Sequence, residues 1–384
     1  MYNIKTLNKI GKAGLDKLAA AGYKVADDVD EPDGIMVRSA AMHDYVFNKN
    51  LRAIARAGAG TNNIPLERCA EEGIVVFNTP GANANAVKEL VICALMLASR
   101  DIIGGVDWVS GLTEDVSKQV EKGKSNFAGC EIEGKNLGVI GLGAIGIKVA
   151  NIATKLGMTV YGYDPYISVD NAWSLSRATI HAPDLKTIWE NCDYITIHVP
   201  YMESTKYMIN KESIAQMRDG VKIINLARGE LVNDDDILAA LENGKVSRYV
   251  TDFPNENVVG KKGVIAIPHL GASTEESEEN CARMAAEEMI DYLQNGNIKN
   301  SVNMPAVSME RSGTGRLCVI HRNQPNMLSA IINIVSGGNV NIENMTNKSR
   351  GDYAYTMLDV NAPVTEELRG QVKALEGVLR VRLI

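Results

Sequence analysis

Two polar residues directly follow predicted buried strands, Arg228 in "INLARGELV" and His269 in "IPHLGAST". Ligands of α/β proteins bind outside the carboxyl ends of parallel strands, so we expect both side chains at one edge of a sheet. Arginine grips a carboxylate through two parallel hydrogen bonds, and histidine gains or loses a proton near neutral pH. The two residues therefore indicate a site that binds an organic acid and moves a proton.

The stretch "GLGAIG" places Gly141, Gly143 and Gly146 between a predicted strand and a helix with apolar residues at helical spacing. One glycine permits a tight turn, one lets a pyrophosphate approach the backbone, and one lets helix and strand pack closely. Asp164 ends the next predicted strand, 18 residues after Gly146, where an acid binds ribose hydroxyls and repels a 2′-phosphate. The pattern predicts a dinucleotide site that prefers NAD to NADP.

Together these residues fit an enzyme that transfers a hydride between an alcohol and a nicotinamide. Such an enzyme needs a base for the hydroxyl proton and a cation for the acid group of the substrate. His269 is the candidate base and Arg228 the candidate cation.

The elements that position these residues fall into three groups. Strands alternate with helical segments before residue 100, and again from Asn136 to about Ala272, as is typical of parallel α/β sheets. From about Thr314 the order strand, helix, strand, strand, helix, strand predicts a ferredoxin-like βαββαβ domain. The predicted fold class is α/β, with two doubly wound, Rossmann-like parallel-sheet domains and this small C-terminal domain.

The long helical segment "TEESEENCARMAAEEMIDYLQNG" follows the second group of strands. If it returns to the first domain, the nucleotide-binding domain is an insertion within that domain. We predict a substrate-binding domain over 1–92 and 286–306, a nucleotide-binding domain over 93–285 and a regulatory domain over 314–384.

The composition is that of an ordinary globular protein, with a formal charge of −7 in 384 residues. A basic nucleic-acid footprint is missing, so we expect no nucleic-acid partner. The longest apolar stretch, "LVICALMLA", is half a membrane span, and the first residues lack the apolar core of a signal peptide. Six scattered cysteines without a CxxC pair indicate free thiols and no metal site. We therefore expect a cytoplasmic protein without a membrane partner.

The combination of "GLGAIG" and Asp164 with "INLARGELV", "TDFPNE" and "PHLGAST" resembles the D-isomer-specific 2-hydroxyacid dehydrogenases over roughly residues 1–306. The resemblance implies that His269 is the general base, that Arg228 binds substrate and that Glu256 pairs with the histidine. The segment "DFPNEN" is one residue shorter than the family pattern D-V-F-x-x-E-P. The resemblance also implies cofactor contacts for Ala144, Ile145, Leu226, Ala227, Gly271 and, on the nicotinamide side, Asp252.

The first domain carries motifs similar to those of family members that oxidise 3-phosphoglycerate to 3-phosphohydroxypyruvate at the entry to serine synthesis. They are "VRSA", "ARAGAGTNN" and "GANANAVKEL". A substrate with a carboxylate and a phosphate needs more than one cation, and the alternative for such arginines is a surface ion pair. The expected substrate-binding residues are Arg38, Ser39, Arg56, Asn83 and Lys124.

The C-terminal segments "LCVIHRNQPNML" and "NVNIENM" resemble an ACT regulatory domain. The resemblance implies an effector site for L-serine at His321, Asn323 and Asn341. Asn326 stands where a glycine usually follows the proline, and asparagine is the residue that best tolerates a left-handed backbone after glycine. The alternative is an ACT fold that serves only assembly.

Two other functions fit parts of the pattern. A glyoxylate or hydroxypyruvate reductase, or another D-2-hydroxyacid dehydrogenase, would not need Arg38 and Arg56 for a phosphate. A non-enzymatic, NAD-sensing protein similar to a corepressor would not need both Arg228 and His269. By analogy with proteins of this organisation, we expect a homo-oligomer, a dimer or a tetramer.

Overall fold

The computed structural model describes residues 1–338 and 340–384. The chain divides into two compact units, one of Met1–Ala82 with Glu275–Ile384 and one of Asn83–Thr274. The second unit is therefore inserted into the sequence of the first.

The N-terminal part of the first unit is a five-stranded parallel sheet with the order β2-β1-β3-β4-β5. Its third strand, Gly34–Val37, is buried throughout, as is typical of a parallel sheet covered on both faces. Val37 pairs with Arg56, so the carboxyl ends of two neighbouring strands lie side by side. The elements are β1 (Asn3–Leu7), α1 (Lys12–Ala20), β2 (Lys24–Ala26), β3 (Gly34–Val37), β4 (Ala53–Arg56), α2 (Leu66–Glu71) and β5 (Val75–Phe77).

The inserted unit contains a seven-stranded parallel sheet with the order β12-β11-β10-β9-β6-β7-β8. The strand order reverses between β6 and β9, which is the switch point where doubly wound sheets bind ligands. The elements are α3 (Ala84–Ser99), α4 (Ile102–Ser110), α5 (Val116–Gly123), β6 (Asn136–Ile140), α6 (Ala144–Lys155), β7 (Thr159–Tyr163), α7 (Val169–Ser174), β8 (Ile180–His181), α8 (Leu185–Asn191), β9 (Tyr194–Ile197), α9 (Lys211–Gln216), β10 (Val221–Asn225), α10 (Asp234–Glu242), β11 (Val246–Thr251) and β12 (Val264–Ala266), with 3-10 turns at Lys124–Phe127 and Gly229–Leu231.

The chain then returns to the first unit through a long helix. This helix, α11, packs its small residues so closely on α1 that a Cβ on Gly14 would lie 2.4 Å from the carbonyl oxygen of Ala282. An antiparallel sheet with the order β14-β15-β13-β16 follows. The elements are α11 (Glu275–Asn295), β13 (Gly315–Arg322), α12 (Met327–Gly337), β14 (Ile342–Arg350), β15 (Tyr353–Val360), α13 (Glu366–Lys373) and β16 (Val378–Leu383).

These three sheets confirm the predicted fold class, including the βαββαβ order at the C-terminus. The predicted domain boundaries at 92/93 and 285/286 fall inside α3 and α11, whereas the two compact units divide before α3 and before α11. The reason is side-chain burial, since Val87 and Val91 at the start of α3 already belong to the core around Leu137 and Val139. The assignment of functions to these domains stays a prediction.

Two features of the described residues bear on the classes of protein considered above. Within 1–338 and 340–384, no helix combines the length and the apolar character that crossing a bilayer requires. The same residues contain no group of three or more His, Cys, Asp or Glu side chains that could hold a metal ion.

Candidate active site

The glycine-rich turn lies between the end of β6 and the start of α6. Gly141 has a φ of +91°, and a Cβ there would lie 2.7 Å from the carbonyl oxygen of His198. A Cβ on Gly146 would lie 1.9 Å from the carbonyl oxygen of Gly141, so α6 packs directly on the turn. Gly143, the residue before α6, would have open space around a Cβ, and no side chain caps the helix there. The first N–H groups of α6 are thus presented to an anion.

Asp164 follows β7 and is fixed beside this turn. Its Oδ2 accepts a hydrogen bond from the backbone N–H of Leu142 at 2.8 Å, and its Oδ1 accepts one from the N–H of Tyr166 at 2.8 Å. Each carboxylate oxygen keeps a second lone pair that can accept a hydrogen bond from a hydroxyl group. The carboxylate and the glycine turn therefore form the cradle that a pyrophosphate and a ribose require.

Arg228 lies at the carboxyl end of β10, in a turn that Asn225 holds. Asn225 is fully buried, and its Nδ2 donates to the Arg228 carbonyl at 2.8 Å while its Oδ1 accepts from the N–H of Ala227 at 3.2 Å. The guanidinium of Arg228 is exposed, donates to the Ala227 carbonyl at 2.6 Å and lies 5.7 Å from the ring centre of Phe253.

His269 follows β12 and packs against the same aromatic ring. The His269 and Phe253 ring centres are 4.4 Å apart, and the histidine is exposed. Phe253 thus brings the imidazole and the guanidinium together from the ends of two strands. Neither Phe253 nor Asn225 was among the predicted residues. Their signals were an aromatic residue next to Asp252 and an amide at the end of a buried strand.

Asp252 is the buried carboxylate of this cluster, with 1% exposure. Neither of its side-chain oxygens has a hydrogen-bond partner among residues 1–338 and 340–384. Burial raises the pKa of Asp252, whereas the nearby charges of His269 and Arg228 act to lower it. Asp252 is therefore a buried acid whose charge interacts with both His269 and Arg228.

Glu256 is exposed, and its neighbours explain why. Asn255 and Asn257 on either side both donate to Asp234 Oδ2, at 2.9 and 3.1 Å. This arrangement leaves the glutamate side chain outside, and in the described part of the chain it makes no hydrogen bond or ion pair with His269. The predicted pairing of Glu256 with His269 stays a prediction, and Asp252 is the acid whose charge interacts with the histidine here.

The remaining predicted cofactor residues border these motifs. Ala144 and Ile145 form the first turn of α6, and Leu226 and Ala227 directly follow β10. Gly271 is buried, and a Cβ there would lie 3.4 Å from Asp252 Oδ2 and from Val87. All five therefore lie next to the glycine turn or next to the Arg228 and Asp252 strand ends.

Three predicted substrate residues lie at the carboxyl ends of neighbouring strands of the first sheet. Arg56 ends β4, and its Nε donates to the Arg38 carbonyl at 3.1 Å. Burial lowers the pKa of Arg56, and the charge of Arg38 lowers it further. The Arg38 guanidinium forms an ion pair with Glu278 at 2.6 Å, while Ser39 is exposed and its backbone N–H donates to Asn8 Oδ1 at 3.1 Å. The sheet therefore concentrates two cations, one of which already has an acidic partner.

Asn83 and Lys124 belong to the inserted unit. Asn83 is the residue before α3 and makes no side-chain cap. Lys124 is exposed and forms an ion pair with Glu121 at 2.5 Å. A role for either residue in substrate binding stays a prediction.

The predicted effector residues lie in and beside the C-terminal antiparallel sheet. His321 is 3% exposed, and its Nδ1 faces the Arg322 carbonyl at 2.8 Å. Because a carbonyl can only accept, Nδ1 donates, and Nε2 accepts from the Thr356 hydroxyl at 2.9 Å. Asn323 donates to the Gly351 carbonyl at 3.1 Å, and Asn341 is exposed. Asn326 has a φ of +64° and directly precedes α12, without a side-chain hydrogen bond to the helix. Both ring nitrogens of His321 are therefore engaged within the sheet.

Comparison with known proteins relates this geometry to a family. Residues 94–271 match the model for the NAD binding domain of D-isomer specific 2-hydroxyacid dehydrogenases. Over 98% of its length the chain is 32% identical to D-3-phosphoglycerate dehydrogenase of Haemophilus influenzae, of which it covers 95%. The chain belongs to the D-isomer-specific 2-hydroxyacid dehydrogenase family. Its inserted unit contains the NAD-binding domain of this family, and the glycine turn with Asp164 fits that cofactor.

Two further family relatives extend the comparison. D-3-phosphoglycerate dehydrogenase of Bacillus subtilis is 32% identical over 81% of this chain, which spans 60% of that longer protein. The crystal structure of NAD⁺-bound 3-phosphoglycerate dehydrogenase from Entamoeba histolytica is similar with a TM-score of 0.61 and 27% identity, and covers 79% of this chain and 98% of its own.

Proposed function

We propose that the protein catalyses the NAD-dependent oxidation of 3-phosphoglycerate to 3-phosphohydroxypyruvate, the first step of L-serine biosynthesis. The observation that carries the proposal is the similarity over nearly the whole chain to a bacterial relative named for this substrate. The cluster of Arg228, His269 and Asp252 supplies the acid-binding and proton-moving groups that the reaction needs.

In this reaction His269 takes the proton of the C2 hydroxyl, and the carboxylate of Asp252 stabilises the imidazolium that forms. Arg228 binds the substrate carboxylate and polarises the forming carbonyl, which fixes the orientation of C2. The glycine turn and Asp164 would hold NAD⁺, which would supply the acceptor for the hydride of C2. Phe253 keeps the imidazole and the guanidinium at their working separation, since it contacts both.

The phosphate of the substrate is assigned to Arg56 and Arg38, with Ser39, Asn83 and Lys124 as helpers. Arg56 is the stronger candidate, because in the described structure it has no carboxylate partner, whereas Arg38 pairs with Glu278. The engagement of Arg38 favours, as the second candidate function, a reductase of an unphosphorylated acid such as glyoxylate or hydroxypyruvate.

The test is the rate of NADH formation, followed by absorbance, with 3-phosphoglycerate and with D-glycerate. Arg56→Gln should raise KM for 3-phosphoglycerate at least about tenfold and leave KM for D-glycerate unchanged, because only the phosphate loses its cation. Equal rates with the two substrates, or equal KM changes in the variant, would support the reductase instead. NAD binding without turnover on any hydroxy acid would point to a corepressor-like protein.

We further propose a homo-oligomer, a dimer or a tetramer. The helix α4 has no buried residue, and its exposed apolar side chains include Ile102 at 46%, Val106 at 59% and Val109 at 41%. A contiguous exposed apolar surface of this kind is typical of association sites. Light scattering after size exclusion should give an oligomer for the wild type and a smaller species for Val106→Glu, and a monomeric wild type would contradict the proposal.

Regulation by L-serine through His321, Asn323 and Asn341 remains a prediction. A ligand could bind the His321 ring only by displacing Thr356 or the Arg322 carbonyl. Initial rates with and without L-serine test it directly. A cytoplasmic location is likewise proposed, supported by six free cysteines, and fractionation of the source cells tests it.

A further inference from the structure

A cavity of about 640 Å³ lies within the first unit, away from the carboxyl ends that carry Arg38 and Arg56. Its walls come from the segment before β4, from α13 and from β16. A volume of this size accommodates a small metabolite. The cavity thus lies between the part of the first unit that contains the parallel sheet and the part that contains the antiparallel sheet.

The lining of this cavity is strongly cationic. Six lining side chains are positive, against two acids, Glu72 and Glu366, although the whole chain carries a formal charge of −7. The cavity is therefore locally positive, although the net charge of the whole chain is negative. The six cations are Lys49, Arg52, Arg369, Lys373, Arg380 and Arg382.

Only part of this charge is neutralised by acidic side chains. Arg52 forms an ion pair with Asp33, and Arg369 pairs with Glu366 at 3.0 Å. The other four cations have no carboxylate within ion-pair distance among residues 1–338 and 340–384. Two of them are exposed lysines, Lys49 and Lys373, and two are arginines of β16.

The two arginines, Arg380 and Arg382, are fixed by backbone carbonyls instead of acids. Arg380 donates to the Glu72 carbonyl at 3.0 Å, and Arg382 donates to the carbonyls of Tyr292 and Leu293 at 3.0 and 2.8 Å. Their spacing of two residues along a strand puts them on one face of the sheet. Burial lowers the pKa of Arg380, and the neighbouring charges of Arg52 and Arg382 lower it further. Carbonyls orient these groups, and the guanidinium of Arg382 lies 4.3 Å from the ring centre of Tyr292, but in the described part of the chain no carboxylate neutralises either charge.

We propose that this cavity is a binding site for a small phosphorylated anion with at least two negative groups, separate from the active site. A surplus of several positive charges is matched by a diphosphate, whereas a monocarboxylate would leave most of it uncompensated. The guanidinium groups of Arg380 and Arg382 offer the planar donors that phosphate oxygens accept. The bound anion links the segment before β4 to β16, and it stabilises this unit because it binds only the folded state.

Inorganic pyrophosphate is the probe, and calorimetric titration without substrate is the measurement. The test variant is Lys49→Glu/Lys373→Glu, which inverts two exposed lining charges and leaves Arg380 and Arg382 in place. The matched control is Lys24→Glu/Lys348→Glu, which makes the same change at two exposed lysines that do not line the cavity. We expect the test variant to bind pyrophosphate at least tenfold more weakly than the wild type, and the control to bind it as tightly as the wild type.

Thermal unfolding gives a second readout. Pyrophosphate should raise the Tm of the wild type and of the control, and it should raise the Tm of the test variant less. Pyrophosphate affinity equal in the wild type and the test variant would overturn the proposal, since any binding would then occur elsewhere, such as at Arg56. So would the absence of binding to the wild type at low salt. Neither result bears on the proposed dehydrogenase activity, because no measurement here uses turnover.

Discussion

The two histidines that the motifs singled out, His269 and His321, have opposite surroundings. His269 lies three residues past the end of the parallel strand β12, is exposed and packs on the ring of Phe253. His321 lies inside β13, is 3% exposed and has both ring nitrogens hydrogen-bonded. The difference teaches that a polar residue just past a strand end stays available for chemistry, whereas one within a covered strand is used by the sheet itself.

The largest effect should come from His269→Ala. Removing a positioned general base lowers kcat/KM by about 10²- to 10⁴-fold, and NADH formation with 3-phosphoglycerate measures the loss. His43→Ala is the control, because His43 is an exposed histidine whose ring Nε2 bonds to the Asn62 carbonyl. If His269→Ala retained the rate of the wild type, as the control should, the availability of His269 would have no catalytic meaning.

The next effect concerns the buried ion pair of the C-terminal sheet, Arg316 with Asp359. Arg316 Nε donates to Asp359 Oδ1 at 2.6 Å, and its other nitrogens reach the carbonyls of Asn295 and Glu310. Asp359→Ala leaves a buried cation without its acid, so the free energy of unfolding should fall by about 3–5 kcal/mol. Urea unfolding measures it. Lys186→Ala, which breaks an exposed pair with Glu190, should cost less than about 1 kcal/mol.

The third effect concerns Glu288, a buried acid of α11. Its Oε1 accepts from Asn300 at 2.6 Å, but its Oε2 has no partner, and burial raises its pKa to about 8. Between its ordinary pKa of 4.5 and 8 the native state binds the proton more tightly, so wild-type stability falls as pH rises through this window. Between pH 5.5 and 7.5 the free energy of unfolding of the wild type should therefore fall by about 2 kcal/mol more than that of Glu288→Gln. Parallel urea curves for the two proteins across this range would contradict the assignment.

The smallest effect should come from His321→Gln. Losing part of two hydrogen bonds costs about 1–2 kcal/mol, without a change in kcat in the absence of effectors. Burial lowers the pKa of His321 below its ordinary 6.5, so the unfolded chain takes up the proton first. Wild-type stability should therefore fall as pH drops below 6.5, and the variant should lack this component. Unfolding at pH 7.5 and 5.5 distinguishes them.

The sequence predicted those features that local spacing encodes. The glycine turn, Asp164 and the strand-end positions of Arg228 and His269 follow from short motifs, and so does the left-handed backbone of Asn326. The engagement of His321 could not be predicted, because Thr356 reaches it from another strand, 35 residues away. The exposure of Glu256 could not be predicted either. It depends on the hydrogen bonds of its neighbours Asn255 and Asn257 to Asp234, whereas Asp252 is buried. The cationic cavity combines segments more than 300 residues apart.

The insertion of residues 83–274 affects how the chain is made. The core beneath β1 and β3 needs Ala282, Ala286 and Met289 of α11, which the ribosome delivers only after the whole inserted unit. The unit that carries the glycine turn and His269 is a continuous segment and can fold as it emerges, while its host waits with β1 to β5 exposed. During the translation of nearly two hundred residues, the apolar face of the first sheet therefore stays uncovered. Aggregation is most favoured in this interval, and chaperone binding would protect the chain most.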